Sequence, residues 1–482
     1  MALLACVPEL RERFFAEVPV KVGGAEHLII GLNASTQCVR DRNELTDFLL
    51  RSFFRGLSLN NHASLRTVIV SDPGQDMDDE MAFILLRSMV EDGLVQCAGV
   101  VANLAPAPSR ARLARGTLDK LGLDTVAVAV GTDGGTTKHK DGFSASASAY
   151  LPPEEKSPER DGRAMMHDIY HAAPPTGLHL LCISSLKDVA EFLRENEELF
   201  VLKTRAVTIM GGVKPFATTS EEDEFLEPDS AANNAFDMSA AEFFYRRCQE
   251  LKVQLVILSR YAAYKCPMPR SIYDDMASTG HPIGQRLQAT QRSSIEALWT
   301  RAACEGDARG GLPARCDRAW FSKTFLAGAG EDRTAADSIW DLLVSFNMYD
   351  PMALMASVPQ VRDCFFESTI KRVRDIDHIV IGVSAEQPGV ADDKVDELRE
   401  FMFRGFFKGL TMDYSEFSDV KAIASDASRR HNHALLKSHA TATHIDMNDR
   451  GADDENADFM LRDFGQRKLS SKSEGGLRFP PV

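Results

Sequence analysis

Between residues 67 and 259 of this 482-residue chain, short unbroken apolar runs alternate with amphipathic stretches. The runs are Thr67–Ser71, Val95–Ala102, Thr125–Gly131, Leu178–Ser184, Ala206–Met210 and Val253–Ser259. Each has strand length, and none alternates apolar with polar residues as a half-wet strand would. Helix candidates fill the gaps near Asp79–Val90, Ser109–Leu121, Ala164–Ala172, Leu186–Asn196 and Ser239–Gln249. Fully buried strands separated by helices predict an α/β fold: a mostly parallel central sheet with helices on both faces. Ligands of such sheets bind beyond the carboxyl ends of the strands. Asp72, Asn103 and Gly211-Gly212 each follow a strand end and so converge on one crevice. Longer helices are expected over Pro282–Ala303 and Ala335–Phe346, and a surface loop over Glu305–Arg315.

The first strand runs straight into acid. Asp72-Pro73-Gly74 breaks it, Asp76, Asp78 and Asp79 follow, and Met81–Leu86 begins an apolar helix. One or two Asp would serve as helix caps, since Asp is favoured at helix starts. Four carboxylates around one turn repel each other and resist ionising together. A cation removes that conflict, and oxygen-only ligands suit a hard ion such as Ca²⁺ or Mg²⁺.

The formal net charge is −15, the reverse of a nucleic-acid footprint. No apolar run is long enough to span a bilayer. Arg11 and Arg13 follow the apolar start Met1–Val7 rather than precede it, the wrong order for a signal peptide. Nine cysteines are scattered without a CxxC pair. They read as buried thiols of a reducing, cytoplasmic compartment, with no zinc site. Beyond about residue 420 the chain is polar and without period, which reads as a disordered tail over 420–482.

The chain also repeats itself. Residues 1–31 and 352–382, aligned without gaps, share 13 identities, among them Phe14-Phe15 with Phe365-Phe366 and His27 with His378. The likeness continues from Phe53–Leu57 to Phe406–Leu410. Residues 1–60 are therefore a partial repeat of 352–412: the tail of a preceding unit, or a duplicated C-terminal subdomain. The copy lacks its own carboxylate turn.

Residues 66–415 resemble the nucleoside hydrolases of the inosine–uridine-preferring type. The strand-end motif of that family, Asp-Pro-Gly then Asp-Asp and an apolar helix, stands here as Asp72-Pro73-Gly74-Gln75-Asp76-Met77-Asp78-Asp79. Val100-Val101-Ala102-Asn103 looks like its second strand. Thr208-Ile209-Met210-Gly211-Gly212 looks like its Met-Gly-Gly strand end, and Tyr349-Asp350-Pro351 like its late His-Asp-Pro motif. Asn233 precedes Asp237–Ala241 as a sugar-binding Asn of the family precedes its helix. The resemblance implies hydrolysis of the N-glycosidic bond of ribonucleosides with one Ca²⁺. It implies that Asp72 ligates the metal and acts as general base, and that Asp79, Asp350 and the Ile183 carbonyl complete the metal shell. Asp78, Asn103 and Asn233 would hold ribose hydroxyls, and Met210 would line the sugar pocket. The implied partner is a small nucleoside, with no nucleic acid and no membrane; a homo-oligomer stays open. Nearby carboxylates fit the chemistry, because the transition state is oxocarbenium-like and cationic.

Three departures bear on activity. Two extra residues separate Gly74 from Asp78, so Asp76 competes with Asp78-Asp79 for the family register. Ala231 stands where the family has a Glu, with Asp229 and Glu227 close by. Tyr349 replaces a His; a phenol can donate a proton to a departing base, or stack on it, but is not tuned to neutral pH. His139, in the loop Thr136–Gly142, falls where the family carries a mobile loop, and a solvated loop is the simpler reading. Ser184-Ser185 lacks the elbow of a serine nucleophile. Two classes stay open: an active N-ribohydrolase, and a non-catalytic module that binds metal or a ribose-containing ligand.

Overall fold

The computed structural model describes residues 64–411, leaving out 75, 136–142, 218–223, 310–311, 313–315 and 331; before residue 64 it describes only 15, 18–22, 25–29 and 45. The loop carrying His139, the tail 420–482 and most of the repeat at 1–60 lie outside the described residues.

The strands are β1 (Val18–Val22), β2 (Ala25–Ile29), β3 (Leu65–Ser71), β4 (Val95–Ala102), β5 (Ala127–Val130), β6 (Leu178–Cys182), β7 (Thr204–Gly211), β8 (Leu255–Ser259), β9 (Met268–Pro269), β10 (Ser345–Phe346), β11 (Thr369–Val373) and β12 (Ile376–Ile381). The helices that matter below are α1 (Asp78–Glu91), α2 (Ala107–Lys120), α3 (Gly162–Ala172), α4 (Lys187–Glu195), α5 (Met238–Glu250), α6 (Arg260–Lys265), α7 (Ser271–Ser278), α8 (Pro282–Ala302), α9 (Tyr349–Ser357) and α10 (Val395–Thr411).

Eight strands form one sheet in the order β11-β12-β8-β7-β6-β3-β4-β5. Every neighbouring pair is parallel except the hairpin β11–β12. This is the predicted α/β architecture. The chain winds outward from β3 through β4 to β5, then returns to β6 on the other side of β3 and winds outward again. The reversal puts a topological switch point at β3, where open α/β sheets bind ligands.

Side-chain alternation divides the core. Val68, Val70, Leu180 and Ile257 pack with Met165 and Tyr170 of α3, Phe192 of α4 and Phe244 of α5. Ile69, Leu181, Val256 and Leu258 are also buried and alternate with them. Helices α1 and α9 contact the sheet, and α10 packs on α1. The helix starts are capped as their sequences suggest. Asp161 accepts from the Ala164 amide, Asp237 from that of Ala240, and His281 from that of Ile283 just before Pro282.

One predicted helix is absent. Ala335–Phe346 holds only a single 3₁₀ turn at Trp340–Leu342, followed by β10. Asp337 accepts from the amide and hydroxyl of Thr334 and closes a turn. β10 then pairs with β9, and Trp340 packs on Tyr273 and Phe346. Tertiary pairing here overrides helical propensity.

The described residues fall into two compact units: those before Leu65 together with Asp92–Leu94, and the rest. In the first unit β1 and β2 form a two-stranded antiparallel sheet, with Val18 opposite Ile29 and Val22 opposite Ala25. In the second, Thr369 faces Val380 and Val373 faces Ile376. The two hairpins thus share one register, 351 residues apart.

Candidate functional site

β3 ends at Ser71, and the chain turns through Asp72-Pro73-Gly74 into α1. Gly74 has φ +91°, and a Cβ there would lie 2.5 Å from the Phe143 ring. Only glycine meets both conditions. Arg110, fully buried in α2, anchors the turn from below. Its Nη1 donates to the carbonyl oxygens of Asp72 (2.8 Å) and Pro73 (3.1 Å). Its Nε and Nη2 donate to those of Leu104 and Ala105, both at 3.1 Å. The guanidinium carbon lies 5.3 Å from the centre of the Phe143 ring. One side chain therefore fixes the loops after both β3 and β4.

Helix α1 opens with Asp78, Asp79 and Glu80, where its dipole favours negative charge. Asp79 Oδ1 accepts from the Ser71 hydroxyl at 2.6 Å and from the Asp72 amide at 3.0 Å. The Asp350 amide, in the first turn of α9, reaches Asp78 Oδ2 at 3.4 Å. Ligand atoms of Asp76, Asp78, Asp79 and Asp350 all lie within 4.8 Å of one another. Burial, then the charges of Asp72, Asp350 and Asp76, push the Asp79 carboxyl well above the usual carboxylate range; the Ser71 hydrogen bond opposes this. Oxygen-only donors at this spacing fit a hard divalent cation, whose charge would offset the repulsion.

Asp76 lies in this group together with Asp78, Asp79 and Asp350. Asp72 is outside the set of four but buried, and its charge acts on Asp79. Ile183 sits just past β6 and donates its amide to the Val70 carbonyl at 2.9 Å, one strand from Asp72.

The expected sugar contacts lie along the same edge. Asn233 Nδ2 donates to the Met210 carbonyl at 3.1 Å, and its Oδ1 is buried with no hydrogen-bond partner. Asn103 is more heavily engaged. Its Nδ2 donates to the Ser185 carbonyl (3.0 Å) and to Asp188 Oδ2 (2.8 Å), and its Oδ1 accepts from the Ser184 hydroxyl at 2.5 Å. That leaves Asn103 one lone pair on Oδ1 to offer a ligand. Asp188 also accepts from the amide and hydroxyl of Thr132. The Tyr349 ring meets Tyr264 edge-on, centroids 6.3 Å apart, and its hydroxyl oxygen accepts from Asn347 Nδ2 at 3.0 Å.

Sequence reading missed Arg110, Asp188 and Tyr273. Burial, then the charges of Asp78 and Asp76, push the Tyr273 phenol upward, so α7 also borders the carboxylates. Nothing in the local sequence marks these residues, because their partners are far along the chain.

The chain matches no family model and none of the curated proteins. Two solved structures share much of its fold. The effector protein XOO4466 is 27% identical, with 76% of this chain and 99% of that chain covered and a TM-score of 0.63. The type III effector protein XopQ, solved in complex with adenosine diphosphate ribose, is 28% identical, with 77% and 99% covered and a TM-score of 0.63. A plant nucleoside hydrolase, PpNRh1, matches more loosely, at 14% identity with 72% and 99% covered and a TM-score of 0.45.

Proposed function

We propose that the protein binds a ribosyl compound through a divalent cation at the carboxyl ends of β3 and α9's first turn, and hydrolyses its N-glycosidic bond. The observation that carries this reading is the set of four Asp ligand atoms within 4.8 Å, with Asp79 held against its own ionisation by its neighbours. Asp76, Asp78, Asp79 and Asp350 would hold the metal, with the Ile183 carbonyl and Asp72 at its margin. When bound, such a cation supplies a polarised water and an anchor for a vicinal diol.

The chain's own residues do the rest. Asp72 is pinned by its amide to Asp79 and by its carbonyl to Arg110, and takes the proton of the attacking water. Asn233 Oδ1 accepts from a ribose hydroxyl, and Asp78 and Asn103 hold the others, beside Met210. The carboxylates stabilise the cationic ribosyl transition state. Asn347 donates to the Tyr349 oxygen, which orients that phenol as a donor to the departing base.

A second reading, a ribosyl-binding module without turnover, is favoured by two observations. XopQ was solved with adenosine diphosphate ribose, and Ala231 brings no carboxylate towards Asn233.

The test is release of ribose from a panel of ribonucleosides, alongside calorimetric binding of adenosine diphosphate ribose, each with Ca²⁺ and with EDTA. Release that EDTA abolishes, and that Asp72→Asn lowers by at least about a hundredfold, establishes the hydrolase. Binding without release selects the module. Neither binding nor release rejects both.

A further inference from the structure

We infer that the ligand carries a phosphate, and that Arg260 receives it; this rests on the ribosyl site proposed above. The argument starts from charge. The β3 side of the crevice is acidic and suits a metal and a polyol. The β8 side carries a cation.

Arg260 follows the last residue of β8. It donates through Nη2 to Asp229 Oδ2 at 3.0 Å, and both side chains are 15% exposed. Asp229 is itself held in place. Its Oδ1 accepts from the Ala231 amide at 2.9 Å and from Asn234 Nδ2 at 3.3 Å, and its amide donates to the Gly212 carbonyl at 3.2 Å. A side chain at Gly212 would strike the Asp229 carboxylate. Asp229 is thus built into the loop after β7, and its carboxylate aims Arg260 instead of serving a sugar. Ala231 adds no charge of its own.

Arg260 lies on the same edge of the sheet as the carboxylates. β7 and β8 run side by side, with Gly211 opposite Ser259, and Asn233 hangs on Met210, one residue before Gly211. Arg260 opens α6, whose Tyr264 ring meets Tyr349, the neighbour of Asp350. In the sheet order, β3 and β8 are three strand spacings apart, about 14 Å.

A guanidinium is the side chain that matches a phosphate's oxygens, and one already oriented by a carboxylate loses little freedom on binding. A phosphate facing only the acidic wall would be repelled. The ligand class that satisfies both walls is a ribose with its diol at the metal and a phosphate or diphosphate at Arg260.

The test is calorimetry in Ca²⁺ with adenosine, AMP and ADP. AMP or ADP is expected to bind about ten- to a hundredfold more tightly than adenosine. In Arg260→Gln the ratio should fall towards one, and Arg260→Lys should retain part of it. Should Arg260→Gln fail to fold because Asp229 loses its counter-charge, the double variant Asp229→Asn with Arg260→Gln reads the same ratio. Equal or tighter binding of adenosine by the unmodified protein overturns the inference and leaves the ribosyl site standing. So does a phosphate preference that Arg260→Gln does not change. No binding of any of the three overturns the ribosyl site and the inference together.

Discussion

At the scale of single residues, the molecule places ionisable groups where water cannot help them. Asp79 shows one consequence. Its neighbours disfavour its charge until a cation arrives, so Asp79→Asn should raise the melting temperature in EDTA and shrink the rise produced by Ca²⁺. Each kcal/mol should appear as about 1–2 °C, given the size of the folded unit, in a thermal scan of the two forms under both conditions. His179 shows the opposite sign. It belongs to β6, with Nε2 2.8 Å from the Thr208 hydroxyl of β7, and burial, then the charges of Arg362 and Arg205, push its pKa from 6.5 down to about 3. The folded protein therefore refuses a proton that the unfolded chain accepts. Stability from the neutral ring is whole above pH 6.5 and is lost as pH falls towards 3. His378, lowered to about 4 chiefly by burial, adds to the same slope. Urea midpoints measured from pH 7 to pH 4.5 should fall in the parent protein and fall less in His179→Gln.

At the scale of elements, the site depends on how α1 is held. Its third residue, Glu80, turns away from the metal group into a buried cluster. Its Oε1 accepts from Thr117 (2.9 Å) and Tyr150 (2.8 Å), and its Oε2 pairs with Arg286 of α8. Burial pushes the Arg286 pKa down to about 10. Removing one partner strands a buried charge, which costs about 3–5 kcal/mol. Arg286→Met should be destabilised by that amount and should weaken Ca²⁺ binding through α1. Arg286→Met combined with Glu80→Gln should recover much of the loss in chemical denaturation. The far side of α1 meets α10 through Gly405 and Gly409. A Cβ at Gly409 would run into the Ile84 carbonyl oxygen, and one at Gly405 into Leu85. Gly409→Ala should therefore cost about 1–3 kcal/mol by overpacking, visible in the same denaturation assay. The two glycines are plain in the sequence, but their meaning is not, because nothing local says which helix they face.

At the scale of the whole molecule, the repeat sets the question. The β1–β2 hairpin copies the β11–β12 register pair for pair. Phe15 and Leu45 are buried, as are Phe366 and Leu398, their counterparts in the repeat. In the second unit β12 continues the sheet by pairing with β8. If residues 1–60 are a surplus copy, deleting them should leave Ca²⁺ binding and any turnover within about twofold, since independent sites add and that copy has no carboxylate turn of its own. Insoluble protein after deletion would reject that independence.

The sequence by itself determined the fold class, because unbroken apolar strands need cover on both faces and parallel strands need helical crossovers. It also put Asp72, Asn103 and Gly211-Gly212 at or just past strand ends on one edge. Tertiary structure alone decided that the Asn103 amide serves Asp188 and Ser184, and that Ala335–Phe346 becomes a turn and a strand. It alone brought Arg110, Arg260 and Arg286 to their partners. The physical reason is range. Periodicity and capping act within a few residues and can be read along the chain, whereas burial, charge pairing and shared carbonyls join residues tens to hundreds of positions apart.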